Sequence, residues 1–264
     1  MGSKQDTEDK VNRKRSVFHG KWRSFVGVFV PRYVPNRVVC GVMGLLSVLW
    51  RTPKRKIREN RIQNVKILQE KKPGETSRQD GMCPAPGAYI ENQPQWDNVC
   101  FGRKSTMAYS GCEIFAVYNA LVSLGELPGG SDVAELIEVF EKRGAVWAGL
   151  FGTSPGAIRR YFRKKQYDVE VCCFRNPQAV NRLGEASDTV IVMVYNDASD
   201  IFQMIHTVNV SKDETGKYYI HNCYCKGASG EYTYAGPFNA LWDAVCRMGG
   251  GRAALLWVLG IRKN

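Results

Sequence analysis

The order of helical and strand-like patterns is what most restricts the fold of this chain. Apolar residues recur at helical spacing over 110–125, 132–144 and 154–162, and strand-like runs come only after these segments. The strand-like runs are 169–174, 189–195, 201–210, 217–222 and 253–261, with one more helix from about residue 239 to residue 248. This order predicts an α+β fold in which the N-terminal helices pack on an antiparallel sheet.

The first of these helices carries a cysteine in its first turn. Ser110 followed three residues later by Glu113 is a capping-box pattern, which makes Ser110 the predicted N-cap and Cys112 the second helical residue. The unpaired amides and the dipole at this end of a helix favour a thiolate, which is the nucleophilic form. Cys112 is therefore a candidate nucleophile, and the alternative is a small buried cysteine packed at a helix start.

The positive charge of the chain lies in its N-terminal part. Residues 1–80 contain 19 Lys and Arg against 7 Asp and Glu, whereas residues 81–264 contain 18 of each kind. The first segment therefore accounts for the whole formal charge of +12. We predict a basic, partly disordered extension over 1–80 and a main domain over 81–264, and we expect no specific binding of nucleic acid.

The extension contains an apolar segment, residues 38–50, with basic residues on both sides. Its 13 residues are too few to cross a bilayer, which needs about 20. Three interpretations stay open, namely a helix buried against the main domain, an interfacial membrane anchor and a poor transmembrane span. In the second of these, residues 25–58 would contact an anionic membrane surface.

The nine cysteines are irregularly spaced, and no pattern of a cleavable signal peptide opens the chain. We therefore expect a cytoplasmic protein with reduced thiols, associated with membranes only through its N-terminal segment. His221, Cys223 and Cys225 alternate in sequence from the end of the predicted strand 217–222 and could share one side, but no second cysteine pair with zinc-ligand spacing accompanies them. With no phosphate-binding or dinucleotide-binding pattern in the sequence, we expect neither a metal nor a cofactor.

A candidate base for the cysteine lies in the predicted sheet. Residues 211–216 read as a hairpin turn, and a register that pairs Val210 with Tyr218 would place His206 opposite Asn222. Directly opposed residues project from one face about 5 Å apart, so the Asn222 amide would orient the imidazole. A slip of one residue would bring Cys223 there instead, and His221 should point to the other face in a structural role.

The order of these groups resembles that of the papain-like cysteine peptidases, over about residues 105–262. Within that superfamily the chain most resembles the compact peptidases that remove double-glycine leaders from bacteriocins. The resemblance rests on four short stretches: Ser110-Gly111-Cys112, Gly152-Thr153-Ser154, His206-Thr207-Val208 and Tyr219-Ile220-His221-Asn222.

The resemblance implies a papain-like fold and a peptide or protein substrate. Carried over residue by residue, Cys112 is the nucleophile, His206 the general base and acid, and Asn222 the orienting third member. The implied reaction is cleavage of a peptide or isopeptide bond through a thioester on Cys112. An acyltransferase with the same Cys and His pair, and a catalytically inactive binding module, remain alternatives.

One position departs from the pattern of these peptidases. They usually keep a glutamine about six residues before the cysteine to stabilise the oxyanion, and this chain has Thr106 there. Thr106, Ser105 and Asn98 are therefore the candidate substitutes for that donor. Gln93 and Gln95 lie too far upstream for sequence alone to assign either of them.

Overall fold

The computed structural model describes residues 29–30, 32–69, 85, 87–196, 205–248 and 254–264. Two sequence predictions fall partly outside these residues. They are the basic extension over 1–80 and the predicted strand 201–210, whose first four residues lie outside.

The described residues form a six-stranded sheet in which every neighbouring pair of strands is antiparallel. The strand order is β3-β8-β4-β5-β6-β7, and a small hairpin of β1 and β2 precedes the sheet in the chain. The predicted antiparallel α+β architecture is therefore confirmed. The strands are β1 Cys100–Phe101, β2 Ser105–Thr106, β3 Asp168–Cys172, β4 Thr189–Tyr195, β5 Ile205–Lys212, β6 Tyr218–Lys226, β7 Tyr232–Phe238 and β8 Leu255–Arg262.

Helices cover both faces of this sheet. The described helices are α1 Asn36–Leu49, α2 Lys54–Gln69, α3 Met107–Ser110, α4 Cys112–Ser123, α5 Gly130–Lys142, α6 Pro155–Lys164, α7 Pro177–Glu185 and α8 Leu241–Arg247. All seven residues of β4 are buried, and alternate residues enter two separate apolar cores. Helices α4, α5 and α6 close one core, and helices α7 and α8 close the other. A strand covered on both faces has to be apolar throughout, as the sequence of β4 is.

The sequence analysis predicts neither helix α7 nor strand β7, and it also lacks the short elements β1, β2 and α3. Asn176 caps helix α7, because its side chain accepts a hydrogen bond from the Ala179 amide, and Pro177 occupies the first turn. This cap-and-proline signal is readable from sequence, but the helix has only nine residues. Strand β7 lies at the edge of the sheet and has no buried residue, so it lacks the apolar alternation by which a strand is recognised.

Both N-terminal helices contact the rest of the protein, although the sequence places a domain boundary after residue 80. Two fully buried asparagines one turn apart attach α2 to the β1 region. Asn60 Nδ2 donates to Gly102 O at 2.8 Å, and Asn64 makes reciprocal bonds of 2.8 and 2.9 Å with the backbone of Cys100. Buried polar groups of this kind need their partners, so they fix the position of α2.

Helix α1 corresponds to the predicted apolar segment and is anchored at both ends. Asn36 Nδ2 donates to Cys173 O and Leu255 O, each at 3.0 Å, and the Trp50 ring stacks on Trp147 with centroids 4.7 Å apart. Between these anchors one stripe of α1 is buried against the body of the protein, while another apolar stripe is exposed. The exposed stripe consists of Val38, Val42, Leu45, Val48 and Leu49. None of the helices in the described part of the chain has both the length and the apolar character needed to cross a membrane.

Candidate active site

A cavity of about 600 Å³ lies between α1, the start of α4 and the strands β5 and β6. Its lining includes the two main sequence candidates, Cys112 and His206, which are each 6% exposed. Gln93, Glu113 and Tyr224 add further polar groups to the same lining. The fold therefore brings a thiol, an imidazole and a carboxamide, which are remote in sequence, to the lining of one cavity.

Cys112 is the first residue of α4, and the predicted capping box is wrong. Ser110 instead ends the preceding short helix α3, and its hydroxyl lies 2.7 Å from the Ser105 hydroxyl. Gly111 joins the two helices so tightly that a Cβ atom on it would lie 2.5 Å from Met107 O. Only glycine fits this junction, which sets Cys112 at the very start of the helix.

The Cys112 thiol is buried and protonated at neutral pH. Burial, and secondly the charge of Glu113, raise its pKa well above the ordinary value, and Sγ lies 4.0 Å from Ile205 O as a donor. The sequence predicted a lowered pKa from the helix dipole. That prediction is wrong, because the loss of solvation of the buried thiol outweighs the dipole.

His206 has a fixed tautomer. Its Nε2 lies 2.7 Å from the backbone carbonyl oxygen of Asn222, and because a carbonyl only accepts, Nε2 must carry the proton. The unprotonated Nδ1 is 3.4 Å from the Tyr224 hydroxyl, and the Tyr224 ring stacks on the imidazole with centroids 4.5 Å apart. Burial lowers the pKa of His206 to about 4, so the ring is neutral near pH 7 and Nδ1 can act as a base.

The pairing of β5 with β6 differs from the predicted register by two residues. Val210 pairs with Ile220 rather than with Tyr218, because the turn between the strands is shorter than predicted. Asp213 Oδ1 closes this turn by accepting from the amides of Thr215 and Lys217. A shift of two residues keeps each side chain on its predicted face, and His206 therefore still points to the side where it can meet Cys112.

Asn222 contacts His206 through its backbone and not through its side chain. It lies at an irregular part of β6, where its φ is 60°, a left-handed conformation that turns its carbonyl to the imidazole. Its side-chain Nδ2 donates to Gln93 Oε1 at 2.8 Å. Asn222 therefore links the histidine to a glutamine that the sequence left unassigned.

Glu91 holds Asn222 in this conformation. One carboxylate oxygen accepts from the Asn222 backbone amide, and the other lies 2.6 Å from His221 Nδ1. His221 Nε2 in turn lies 2.8 Å from the Ser211 hydroxyl, and Tyr89 stacks on its ring. His221 therefore has the structural role that the sequence predicted, in a chain of hydrogen bonds behind the candidate site.

Gln93 is a further candidate for the oxyanion donor, the role for which the sequence suggests Thr106 and Ser105. It is 1% exposed, it lines the cavity, and its Nε2 donates to Ala108 O at 3.0 Å, which leaves one N–H hydrogen of that amide for another acceptor. Thr106 and Ser105 pair with the β1 strand, and neither belongs to the described lining of the cavity. No local spacing rule leads to Gln93, because its contact with the site depends on how the loop 87–99 packs.

Glu113 adds a second buried acid–base group. Its carboxyl packs against Gly152, where a Cβ atom would lie 2.4 Å from Oε1, and among the described residues Oε2 has no hydrogen-bond partner. Burial raises the pKa of Glu113 to about 7. Near neutral pH this carboxyl therefore changes charge beside the Cys112 thiol, whose ionisation it opposes when charged.

We expect pH to act on His206 and Glu113 in opposite directions. Between pH 6.5 and pH 4 the unfolded chain protonates His206 and the folded protein does not, so acidification lowers the free energy of unfolding. Between pH 4.5 and pH 7 the folded protein keeps the Glu113 proton and the unfolded chain loses it, so alkalinisation lowers that free energy. Each effect should reach about 2 kcal/mol between pH 4.5 and pH 7.

Urea unfolding over this pH range checks the expectation. His206→Gln should lose less stability than the wild type on acidification, and Glu113→Gln should lose less on alkalinisation. Parallel pH profiles for the wild type and both variants would contradict the burial of these two groups.

Within the described residues no group of three or more histidine, cysteine or acidic side chains is arranged to hold a metal ion. Comparison of the chain with protein-family models, with curated proteins and with solved structures finds no match. The function of the chain is therefore inferred from the geometry of the cavity.

Proposed function

We propose that the protein is a cysteine hydrolase with a papain-like arrangement, which cleaves a peptide or isopeptide bond through a thioester on Cys112. The observation that carries this proposal is the meeting of Cys112, His206 and Gln93 in the lining of one cavity. A nucleophile, a base with a fixed tautomer and an amide donor are the groups that acyl transfer through a cysteine requires.

In this mechanism Cys112 Sγ attacks the carbonyl carbon while His206 Nδ1 takes the thiol proton. The Asn222 carbonyl keeps Nε2 protonated, so the imidazolium that forms is held in place and then protonates the leaving amine. The Gln93 amide and the backbone N–H of Cys112, the first residue of α4, stabilise the oxyanion. Water then hydrolyses the thioester, or an amine takes the acyl group in the related acyltransferase reaction.

Replacing Cys112 by alanine tests the proposal. Hydrolysis of an activated acyl substrate by Cys112→Ala should fall by about 10³-fold or more, because the covalent route is lost. Cys172→Ala is the matched control, since Cys172 is also buried, at 7% exposed, and has its own contact with Phe174 O at 3.6 Å. Equal turnover by Cys112→Ala and the wild type would contradict a catalytic role of Cys112. The protein would then be a non-catalytic binding module, the alternative that the raised pKa of the Cys112 thiol favours.

We also propose that the exposed apolar stripe of α1 docks on an anionic membrane surface. Leu45, Val48 and Leu49 are each more than half exposed there, and exposed basic residues precede and follow this part of the chain, at Arg37 and Arg51. An apolar helix face between positive charges is the pattern of an interfacial anchor, and the proposed docking site is the cytoplasmic face of a membrane.

Binding to vesicles that contain anionic phospholipid tests this docking. Leu49→Glu should weaken binding at least about tenfold, because the buried area of one leucine is lost, and added salt should weaken it further. Leu127→Glu, at an exposed leucine remote from α1 in sequence, should bind as the wild type does. Equal binding by both variants, or binding only to DNA, would contradict membrane docking through α1.

A further inference from the structure

The cavity beside Cys112 has one wall made of hydrocarbon. Every residue that α1 contributes to the lining is apolar: Val38, Val39, Val42, Met43 and Leu46. Val146, Phe151 and Ile205 add apolar side chains from other elements. The polar groups of the lining instead belong to other elements, and they include Gln93, Glu113 and Tyr224 beside Cys112 and His206.

Along this wall, the backbone of helix α1 cannot form hydrogen bonds with a ligand. The peptide groups in the interior of a helix are bonded within the helix. An extended peptide chain binds along a groove mainly through main-chain hydrogen bonds to a strand edge, and α1 supplies none. The wall therefore suits a ligand that has no polar groups along its length.

The cavity is continuous with the exposed face of α1. Val38 and Val42 line the cavity and are nevertheless 51% and 48% exposed. An apolar chain can therefore pass from this face into the cavity along the apolar side chains of α1. The volume of about 600 Å³ lies within the range of roughly 300 to 1,000 Å³ that encloses ligands of moderate size.

We propose that this cavity binds the hydrocarbon chain of a fatty acyl group, with the acyl carbonyl at Cys112. The proposal rests on the function proposed above, since it names the acyl group that the thiol accepts. The α1 wall takes the chain, and Gln93 and His206 face the carbonyl end.

The reaction balances without any further reagent. Sγ of Cys112 forms a bond to the acyl carbon, and the bond from that carbon to the leaving amine, alkoxide or thiolate breaks. The thiol proton passes through His206 to the leaving group. Water then cleaves the thioester, which gives the free fatty acid and restores the thiol.

The test measures binding in the full-length Cys112→Ser variant, so that chemistry does not interfere. Saturated fatty acids of six to twelve carbons, below the concentration at which they form micelles, compete with a fluorescent fatty acid. Affinity should rise about fourfold for each added methylene, the value expected when a CH₂ group leaves water. Affinity that does not change with chain length would overturn the proposal.

Two valines of α1 supply a matched pair of variants in this background. Val42 lines the cavity and Val48 does not, while they are 48% and 54% exposed. Val42→Asp should weaken fatty-acid binding at least tenfold and Val48→Asp should leave it unchanged. Val42→Thr keeps the shape of the side chain and should weaken binding several-fold, so a folding defect in Val42→Asp does not leave the question open.

Other outcomes separate the two proposals. Equal loss in Val42→Asp and Val48→Asp would overturn the cavity site and assign binding to the exposed face. If a peptide amide with a large apolar side chain displaces the fluorescent probe and fatty acids do not, the ligand is a peptide and the fatty acyl proposal is wrong. Fatty-acid binding, together with no acylation of wild-type Cys112 by an activated fatty acyl ester, would refute the enzyme and retain the cavity site. Acylation by such esters at a rate that does not depend on chain length would refute the cavity site and retain the enzyme.

A last comparison in the wild type distinguishes two sources of the acyl group. The same chain is offered as a soluble thioester and as a phospholipid in vesicles. Faster acylation of Cys112 from the vesicles supports a lipid source, and faster acylation from the thioester supports a soluble one. Acylation from neither would overturn the reaction with fatty acyl groups.

Discussion

His206→Ala should lower the rate at which Cys112 is acylated by about 10²- to 10⁴-fold, the usual range for the loss of a general base. The reason lies in the resting state of the site. The pKa of the Cys112 thiol is raised by burial, so hardly any thiolate exists at pH 7 without a base to take the proton. The imidazole is neutral there because burial lowers its pKa to about 4.

Added imidazole distinguishes a catalytic histidine from a structural one. In His206→Ala the missing ring leaves space beside the existing cavity, and free imidazole should restore part of the lost rate as its concentration increases. The wild type should not respond. A variant whose lost rate imidazole does not restore, or one as fast as the wild type, would contradict the role of His206 as base.

Gln93→Ala should lower kcat about a hundredfold while KM changes little, because an oxyanion donor acts mainly in the transition state. The buried amide already donates to Ala108 O, and its oxygen accepts from Asn222, so its orientation is fixed before a substrate binds. Such preorganisation is what makes a single donor effective.

Gln95→Ala is the matched control. Gln93 and Gln95 belong to one short 3₁₀ helix, Gln93–Gln95, but Gln95 is exposed. It should leave both kcat and KM at the wild-type values. Loss of stability in Gln93→Ala with an unchanged kcat would show that Gln93 only holds the loop in place. An equal loss of rate in Thr106→Ala would favour the donor that the sequence suggested.

The sequence predicted the class of fold because its signals are local. Strand β4 is an uninterrupted apolar run and α4 has a clear apolar spacing, and both are read without knowing their neighbours. Cys112 and His206 were also selected from local patterns, as a thiol at a helix start and a histidine on a strand. That they react remains a prediction.

The details of the site depended on contacts that local patterns do not contain. The ionisation of Cys112 was predicted wrongly, since burial is a property of the whole fold and overrides the helix dipole. The sequence assigns the contact with His206 to the side chain of Asn222. In the structure the backbone carbonyl of Asn222 makes this contact, because the left-handed conformation of Asn222 turns the carbonyl toward the imidazole. Gln93 reaches the site through tertiary packing alone, and so it could not be assigned from its distance to Cys112 in sequence.

Simple thiol reactivity would be misleading for this protein. The hydrogen bond from the Cys40 thiol, together with the charge of Arg37, lowers the pKa of Cys173, whereas the pKa of Cys112 is raised. At neutral pH a small alkylating reagent should therefore modify Cys173 before Cys112. A decisive measurement has to report acyl transfer at a mapped cysteine.

That measurement is mass spectrometry of the acyl-enzyme. The wild type and His206→Ala are mixed with an activated acyl ester, stopped with acid within seconds and digested, so that the acyl group is located among the nine cysteines. Our account predicts one acyl group per chain, on Cys112, and almost none in His206→Ala. Acylation of Cys173 instead, or equal labelling of Cys112 in both proteins, would contradict the claim that Cys112 and His206 act together as nucleophile and base.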